Sequence, residues 1–150
     1  MLLTELLTPE RIKIPLAARS KEDLLRELVG VIAGSNEDDH EDVLRAVRER
    51  EAVLSTGIGH GVAIPHGKSA AVNELRMAAG RMQEPIDFDA LDGQPVSLVF
   101  LLVGPESAAG PHIKALSRIS RMVRREDVRE RLIAASNAEE FLQALQEAEG

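Results

Sequence analysis

The stretch VSLVFLLV, residues 96–103, decides the fold class of this sequence. Seven of its eight residues are apolar, so it lacks the apolar-polar alternation of a strand with one face in water. A nearly continuous apolar run of this length is typical of a central strand that is covered on both faces. The stretch therefore predicts a β-sheet with helices on both sides.

Two helical patterns precede this strand in the chain. Ser20 is a capping residue before an apolar face within residues 24–32, and this first helix is expected to end near Gly34. The acidic residues 37–39 open a second helix, which continues through the charged residues 48–51. Both patterns predict amphipathic helices that pack one face against the sheet.

Three further helices are predicted after the central strand. Gly110, Pro111 and His112 open the first of them, because proline is tolerated in the first turn of a helix. A short helix is expected over residues 128–135, and the sequence SNAE at residues 136–139 resembles a capping box before a last helix. The buried side of the first of these helices is expected to carry four apolar residues, namely Ile113, Leu116, Ile119 and Val123.

Shorter apolar segments supply the other strands. Three glycines within residues 57–61 interrupt the helical periodicity, and a strand over residues 62–64 follows and is stopped by Pro65. Residues 76–82 form a weaker strand pattern. Because helices and strands interleave, the predicted fold is α/β, a single-domain sandwich over residues 1–150 with a central mixed β-sheet flanked by helices.

The composition disfavours several classes of function. The 150 residues include 25 acidic and 18 basic side chains, for a net charge of −7, and the aromatic residues are three phenylalanines. Nucleic-acid binding is disfavoured, because both the positive charge that neutralises phosphates and the platforms that stack on bases are missing. The chain has no cysteine, which excludes a disulfide, a thiolate nucleophile and a cysteine zinc site. No apolar run approaches the length of a membrane span and no basic leader precedes Glu5, so a soluble cytoplasmic protein without membrane insertion is expected.

The segment GHGVAIPHGKS, residues 59–69, carries side chains suited to chemistry. Its Gly-Lys-Ser ending occurs in phosphate-binding loops, but such a loop needs four residues between its first glycine and that ending, whereas Gly61 and Gly67 enclose five. A phosphate-binding loop also follows its strand, while here the strand lies within the segment. Nucleotide binding through a Walker A loop or a dinucleotide fingerprint is therefore rejected.

Metal binding and nucleophilic catalysis by histidine are the next candidates. His60 and His66 lack the one-face helical spacing of a His-Glu-x-x-His motif, and no third ligand is evident, so no metal and no cofactor are expected. His66 alone fits a nucleophile, because a neutral imidazole with a pKa of about 6.5 has a lone pair available at neutral pH. Since a phosphorylated imidazole can pass its phosphate onward, a phosphohistidine site is the hypothesis, and His60 is expected at the surface.

A phosphohistidine needs a fixed ring, donors for the phosphate oxygens and a positive charge nearby. Pro65 stiffens the backbone before the ring, and Gly67 permits a close approach of main-chain N–H groups. Arg50 can supply a bidentate guanidinium if the second helix ends near the strand. His112 lies in a helix first turn, where the dipole favours an anion. Taken singly, each of these side chains is also compatible with a structural or solvated role.

Three arginines share one side of the helix that carries His112, namely Arg118, Arg121 and Arg125. A solvated face is the favoured interpretation of this stripe, because exposed charges contribute little to stability and are common. A docking strip for a partner protein is the alternative.

Several segments together resemble the EIIA domain of the bacterial phosphotransferase system, of the fructose/mannitol type and closest to the nitrogen-regulatory subgroup. The resemblance covers nearly the whole chain, and its most specific part is the sequence AIPHG at residues 63–67. The other segments that carry it are RE at residues 50–51, STGIG at 55–59, PIDFDALDGQPV at 85–96 and PHIKALS at 111–117.

The resemblance implies a set of roles and partners. His66 is expected to be phosphorylated on Nε2, Arg50 to stabilise the phosphate, and His112 to be a second active-site histidine. The residues expected to support the phosphate are Thr56, Pro65 and Gly67. An HPr-like phosphocarrier is the expected donor, and the phosphate then passes to an EIIB protein, which must be a separate chain because this one has no cysteine. The alternative is a non-catalytic regulatory module that docks to a kinase, transporter or enzyme.

Overall fold

The computed structural model describes residues 2–33 and 36–149, and within these ranges the chain forms five α-helices and six β-strands. No helix in the described ranges combines the length and the apolar character that crossing a membrane requires. The helices are α1 (Lys21–Ala33), α2 (Glu37–Val53), α3 (Ala109–Met122), α4 (Glu126–Ala134) and α5 (Ala138–Glu149). The strands are β1 (Ile12–Leu16), β2 (Gly57–Gly59), β3 (Val62–Ala63), β4 (His66–Lys68), β5 (Arg76–Ile86) and β6 (Val96–Gly104).

The strands form one mixed sheet in the order β1-β5-β6-β3-β2, and β4 also pairs with β6. The pairs β1–β5, β3–β6 and β4–β6 are parallel, while β5–β6 and β2–β3 are antiparallel. β3 and β4 lie end to end beside β6, and Pro65 separates them. The predicted mixed α/β sheet is therefore confirmed. The sequence predicted that the strand stops at Pro65, whereas the structure has a further short strand, β4, that begins directly after this proline.

The central strand β6 is covered on both faces, as its apolar run predicts. Leu98, Phe100 and Leu102 point into a core that α3, α4 and α5 close. The alternate residues Val99 and Leu101 point into a second core beneath α1 and α2. The period of two along β6 thus distributes its side chains between two apolar layers.

The N-terminal caps of α1 and α5 can be compared with the caps that the sequence predicts. Ser20 Oγ accepts the N–H of Asp23 at 3.2 Å, as predicted, and the described part of α1 ends at Ala33, since Gly34 lies outside the described residues. The predicted capping box at residues 136–139 is wrong by one position. Asn137 accepts the N–H of Glu140 at 2.9 Å, because the sequence offers two adjacent capping residues before two adjacent glutamates.

Helix α3 differs from its prediction in its start and in its buried face. It begins at Ala109, one residue before the predicted Gly110, and its buried positions are His112, Ala115, Ile119 and Met122. Ile113, predicted to be buried, is 68% exposed. Of the other predicted positions, Ile119 is fully buried, Val123 is 2% exposed and Leu116 packs against the core, so the predicted face is wrong only at Ile113.

The glycines before β3 form a strand and a turn that the sequence did not reveal as such. Gly57 lies in β2, which pairs with β3. Gly59, His60 and Gly61 have φ angles of 103°, 57° and 77°, so the hairpin turn uses the left-handed region that glycine adopts without strain. His60 is exposed, as predicted, and its N–H donates to Asp92 at 3.1 Å.

Candidate active site

A cavity of about 530 Å³ lies beside β4, between the C-terminal half of α2 and the first turns of α3. Among the described strands, β4 pairs only with β6, so the side away from β6 is free to border a cavity. Three of the residues that the sequence proposed as the site, Arg50, His66 and His112, therefore meet in one place. The lining residues are Ala46, Glu49, Arg50, His66, Gly67, Lys68, Ala109, His112, Ile113 and Leu116.

The ring of His66 is held by the backbone that precedes it. Nδ1 of His66 lies 2.9 Å from the carbonyl oxygen of Ile64. Because a carbonyl oxygen can only accept, Nδ1 carries the proton, and in the neutral ring the lone pair is on Nε2. The turn at Pro65 brings the two groups together and fixes both the tautomer and the orientation of the ring.

Burial lowers the pKa of His66 below its ordinary value of 6.5, and the positive charge of Arg50 acts in the same direction. The Ile64 carbonyl and the carboxylate of Glu51 oppose this shift without reversing it. His66 is therefore mainly neutral at pH 7, which is the state in which Nε2 can act as a nucleophile.

His112 faces His66 from the first turn of α3. The two ring centroids are 5.6 Å apart, and the ring planes meet at 71°. His112 is 4% exposed, and its Nδ1 has no hydrogen-bond partner among the described residues. Burial lowers the pKa of His112 to about 4, with smaller contributions from His66 and Lys68. A neutral imidazole with an unpaired nitrogen thus stands next to the candidate nucleophile.

Arg50 reaches the same cavity from the last turn of α2. Its Nη1 donates to the carbonyl oxygen of Leu54 at 2.8 Å, which satisfies a carbonyl at the end of the helix. A guanidinium has five N–H donors, so one such bond leaves donors that can bind an anion. Helix α2 therefore does end near the strand that carries His66, the condition that the sequence argument set for Arg50.

Sequence comparison agrees with this geometry. The family described as "Phosphoenolpyruvate-dependent sugar phosphotransferase system, EIIA 2" matches residues 5–148. The chain belongs to this family. The resemblance seen in the sequence is thereby confirmed, and it places the chain among components of a phosphotransferase system with a phosphoryl-carrier or regulatory role.

Three similar proteins carry names of two kinds, nitrogen-regulatory and fructose-specific. A nitrogen regulatory protein of Bradyrhizobium diazoefficiens is 39% identical over 145 residues, which are 97% of this chain and 95% of that protein. The crystal structure of nitrogen regulatory protein IIA-Ntr from Neisseria meningitidis shares 38% identity and a TM-score of 0.87, over 95% of this chain and 98% of the other. The fructose-specific EIIABC component of Bacillus subtilis is 38% identical over 143 residues, which are 95% of this chain but 22% of that longer protein.

Two of the phosphate-supporting residues predicted for this EIIA chain have structural contacts of their own. Gly67 lines the cavity, and a Cβ at this position would lie 3.0 Å from backbone atoms of Ala46 and Val47. The absence of a side chain therefore lets α2 pack directly on β4. The carbonyl of Pro65 accepts the N–H of Leu102 at 3.1 Å, which keeps the break between β3 and β4 attached to β6.

Thr56, the third predicted supporting residue, does not line the cavity. Its N–H and its hydroxyl both donate to the buried carboxylate of Glu51, the hydroxyl at 2.7 Å. Lys21 adds an ion pair to the same carboxylate at 3.1 Å. This network fixes the loop after α2, so Thr56 contacts the residue next to Arg50 and not the cavity.

The structure adds to the site two charged residues to which the sequence argument gave no role. Lys68 and Glu49 both line the cavity of this EIIA chain. Lys68 follows the AIPHG motif directly, and Glu49 precedes Arg50, so their proximity in sequence was a usable signal.

The arginine stripe on α3 lies away from this cavity. Arg118, Arg121 and Arg125 border a separate concavity of about 240 Å³.

The low pKa of His112 makes a prediction about stability and pH. In the unfolded chain a histidine takes up a proton near pH 6.5, while folded His112 does so only at about 4. The unfolded state therefore binds more protons between these values, so the free energy of unfolding should fall as the pH drops from about 6.5 to about 4. The contribution of His112 should be about 3 kcal/mol, because one pKa unit corresponds to about 1.4 kcal/mol.

Urea unfolding at a series of pH values measures this effect, with an NMR titration of the histidine ring to report its midpoint. The variant His112→Gln should show a shallower pH dependence, and some dependence should remain because the pKa of His66 is also lowered. A ring of His112 that titrates near pH 6.5 would contradict the prediction.

Proposed function

We propose that this EIIA chain is a phosphoryl carrier that accepts phosphate on Nε2 of His66 from the histidine of an HPr-like phosphocarrier. The observation that carries the proposal is the hydrogen bond from Nδ1 of His66 to the Ile64 carbonyl, which leaves the lone pair on Nε2 in a cavity shared with Arg50 and His112. The phosphate then passes to a separate EIIB protein or serves as a regulatory signal. The proposed place of action is the cytoplasm.

The transfer exchanges one nitrogen–phosphorus bond for another. The lone pair on Nε2 of His66 attacks the phosphorus of the donor phosphohistidine, while the donor bond breaks and its electron pair returns to the donor ring. No proton has to move to His66, because its Nδ1 already carries one. The positive charge that develops on the phosphorylated ring is stabilised by the Ile64 carbonyl, which accepts the Nδ1–H.

Arg50 and His112 have different proposed roles in this reaction. Arg50 offers a permanent positive charge and free N–H donors to the phosphate oxygens. His112 is neutral at pH 7 because burial lowers its pKa to about 4, so it acts as a hydrogen-bond donor to a phosphate oxygen and not as a charge. The position of His112 supports this role, because it lines the cavity and its ring centroid lies 5.6 Å from that of His66.

The division of labour between the two histidines predicts the outcome of His112→Ala. This variant should still accept phosphate on His66, but the transfer should slow by roughly tenfold, because one phosphate donor is lost while the nucleophile remains. The measurement is incubation with a phosphorylated HPr-type carrier, followed by peptide mapping under alkaline conditions that preserve phosphohistidine. Ser117→Ala, an exposed position on the same helix, serves as the control. Stable phosphate found mainly on the peptide with His112 would overturn the assignment.

A second candidate function is regulation by docking, with the phosphate as a switch. Exposed apolar side chains near the site favour a protein as the ligand: Val53 is 81% exposed, Leu54 57% and Ile113 68%. The relatives from Bradyrhizobium and Neisseria carry the name nitrogen regulatory protein. A phosphate on His66 would change both the charge and the available donors beside these residues. The two functions are compatible, because one phosphohistidine can serve both.

A further inference from the structure

Lys68 lies on the same side of β4 as the candidate nucleophile. It follows His66 by two residues in the strand, and residues at this spacing project from one face. Lys68 also lines the cavity. Its Nζ lies 3.5 Å from Oε2 of Glu106, with the two side chains 46% and 83% exposed. The lysine is thus held at the edge of the cavity by an ion pair that water can reach.

Glu106 connects this ion pair to the helix of the second histidine. It opens the 3₁₀ helix Glu106–Ala108, which runs directly into α3. The next residue, Ala109, lines the cavity, and His112 follows in the first turn of α3. The ion pair therefore joins β4, which carries His66, to the segment that leads into α3.

The charges that line the cavity do not balance a phosphate unless Lys68 takes part. The lining residues that are charged at neutral pH are Glu49, Arg50 and Lys68, since burial keeps His112 neutral. A phosphoryl group adds a charge of about −1.5 to −2. The positive charge on the phosphorylated ring and that of Arg50 together offset this charge, but the carboxylate of Glu49 leaves a net negative charge in the cavity.

We propose that Lys68 binds the phosphate on His66, and that it leaves Glu106 to do so, so that phosphorylation opens the ion pair between β4 and the start of α3. The inference rests on the proposed phosphorylation of His66. The exchange is favoured because a phosphate dianion attracts the ammonium about twice as strongly as a carboxylate at the same distance. An exposed ion pair such as Lys68–Glu106 contributes little that would oppose the exchange. Glu106 then presents an unpaired carboxylate at the rim only when the protein carries phosphate.

The test uses phosphoramidate as a small donor, so that the charge of a docking carrier protein does not affect the result. The pKa of the phosphoryl group on the protein, followed by ³¹P NMR, reports the nearby positive charge. Lys68→Gln should raise this pKa by about 0.7 pH units and slow the labelling about fivefold, the factor expected for one charge pair about 4 Å apart in a water-like medium. A lysine with only a structural role would leave the phosphoryl pKa unchanged.

Glu106→Gln should act in the opposite direction, with faster labelling and a slightly lower phosphoryl pKa, because Lys68 is no longer held by a carboxylate. The double variant Lys68→Gln/Glu106→Gln should label like Lys68→Gln alone, since Glu106 acts through the lysine. Lys114→Gln makes the same change of charge at an exposed position of α3 outside the cavity lining, and it should behave like the unmodified protein.

The outcomes separate this inference from the proposed function. A protein whose His66 takes no label from phosphoramidate or from the carrier would overturn both. Normal labelling of His66, with a phosphoryl pKa that Lys68→Gln does not move, would overturn only the role of Lys68. Slower labelling in Glu106→Gln would also overturn the exchange, because the carboxylate would then assist the phosphate directly.

Discussion

His66→Ala is expected to reduce the incorporation of acid-labile phosphate from a phosphorylated HPr-type carrier to background, a loss of roughly a thousandfold or more. The variant removes the only atom to which the proposed mechanism attaches the phosphate, so no neighbouring group replaces it. His112 is an unsuitable substitute, because its Nδ1 has no hydrogen-bond partner among the described residues, whereas the Ile64 carbonyl fixes the tautomer of His66. Labelled carrier and autoradiography measure the effect.

The matched control is His60→Asn, which removes an exposed histidine outside the cavity and keeps a side chain that tolerates its φ of 57°. This control should label like the unmodified protein. Undiminished labelling of His66→Ala would refute the phosphoryl-carrier proposal. The variant His66→Ala also separates the two proposed functions. Three forms are compared: the unmodified protein with phosphate, the unmodified protein without it, and His66→Ala. A regulatory partner that binds all three forms with equal affinity is not controlled by this histidine.

Gly80→Ala should lower the free energy of unfolding by about 3 kcal/mol. Gly80 lies in the middle of β5, where it pairs with Lys13 of β1 and Val99 of β6. A Cβ at this position would overlap the carbonyl oxygen of Lys13 and lie 2.6 Å from Cδ1 of Leu16. The obstacle is backbone, so β1 would have to move away from the sheet.

Urea unfolding measures this loss, and Gly110→Ala provides the control for the same change of residue. Gly110 is exposed in the first turn of α3, and a Cβ there would meet no atom within 4 Å. Alanine should stabilise this position by up to about 1 kcal/mol, because it has the higher helix propensity. If Gly80→Ala lowers the free energy of unfolding by less than about 0.5 kcal/mol, the prediction is wrong, because β1 can then move away from β5 at little cost.

The fold was predictable where a short window of sequence determines the environment of each residue. The apolar run of β6 needs both faces covered whatever its partners are, so a two-sided sandwich followed from it. β2 was not predictable in this way. Gly57 approaches Ala90, whose Cβ would lie 2.7 Å from an added Cβ, and the contact depends on the loop after β5. No local pattern contains this information.

The site was predictable to the extent that its residues belong to one motif or resemble a family. His66, Arg50 and His112 do line one cavity. Thr56 was placed with them by the family resemblance, but its side chain hydrogen-bonds Glu51. The partnership of Lys68 with Glu106 depends on how α3 begins beside β4, and such tertiary proximity has no signature in sequence spacing.

The hydrogen bond between His66 and the carbonyl of Ile64 has a consequence for how this protein can change over evolution. The acceptor is a peptide oxygen, which every residue supplies, so replacement of the Ile64 side chain leaves it in place. Under the proposed function, the choice of phosphorylated nitrogen is therefore determined by the path of the main chain. Side chains around the cavity could then diverge, and partners could be exchanged for others, without a change in which nitrogen receives the phosphate.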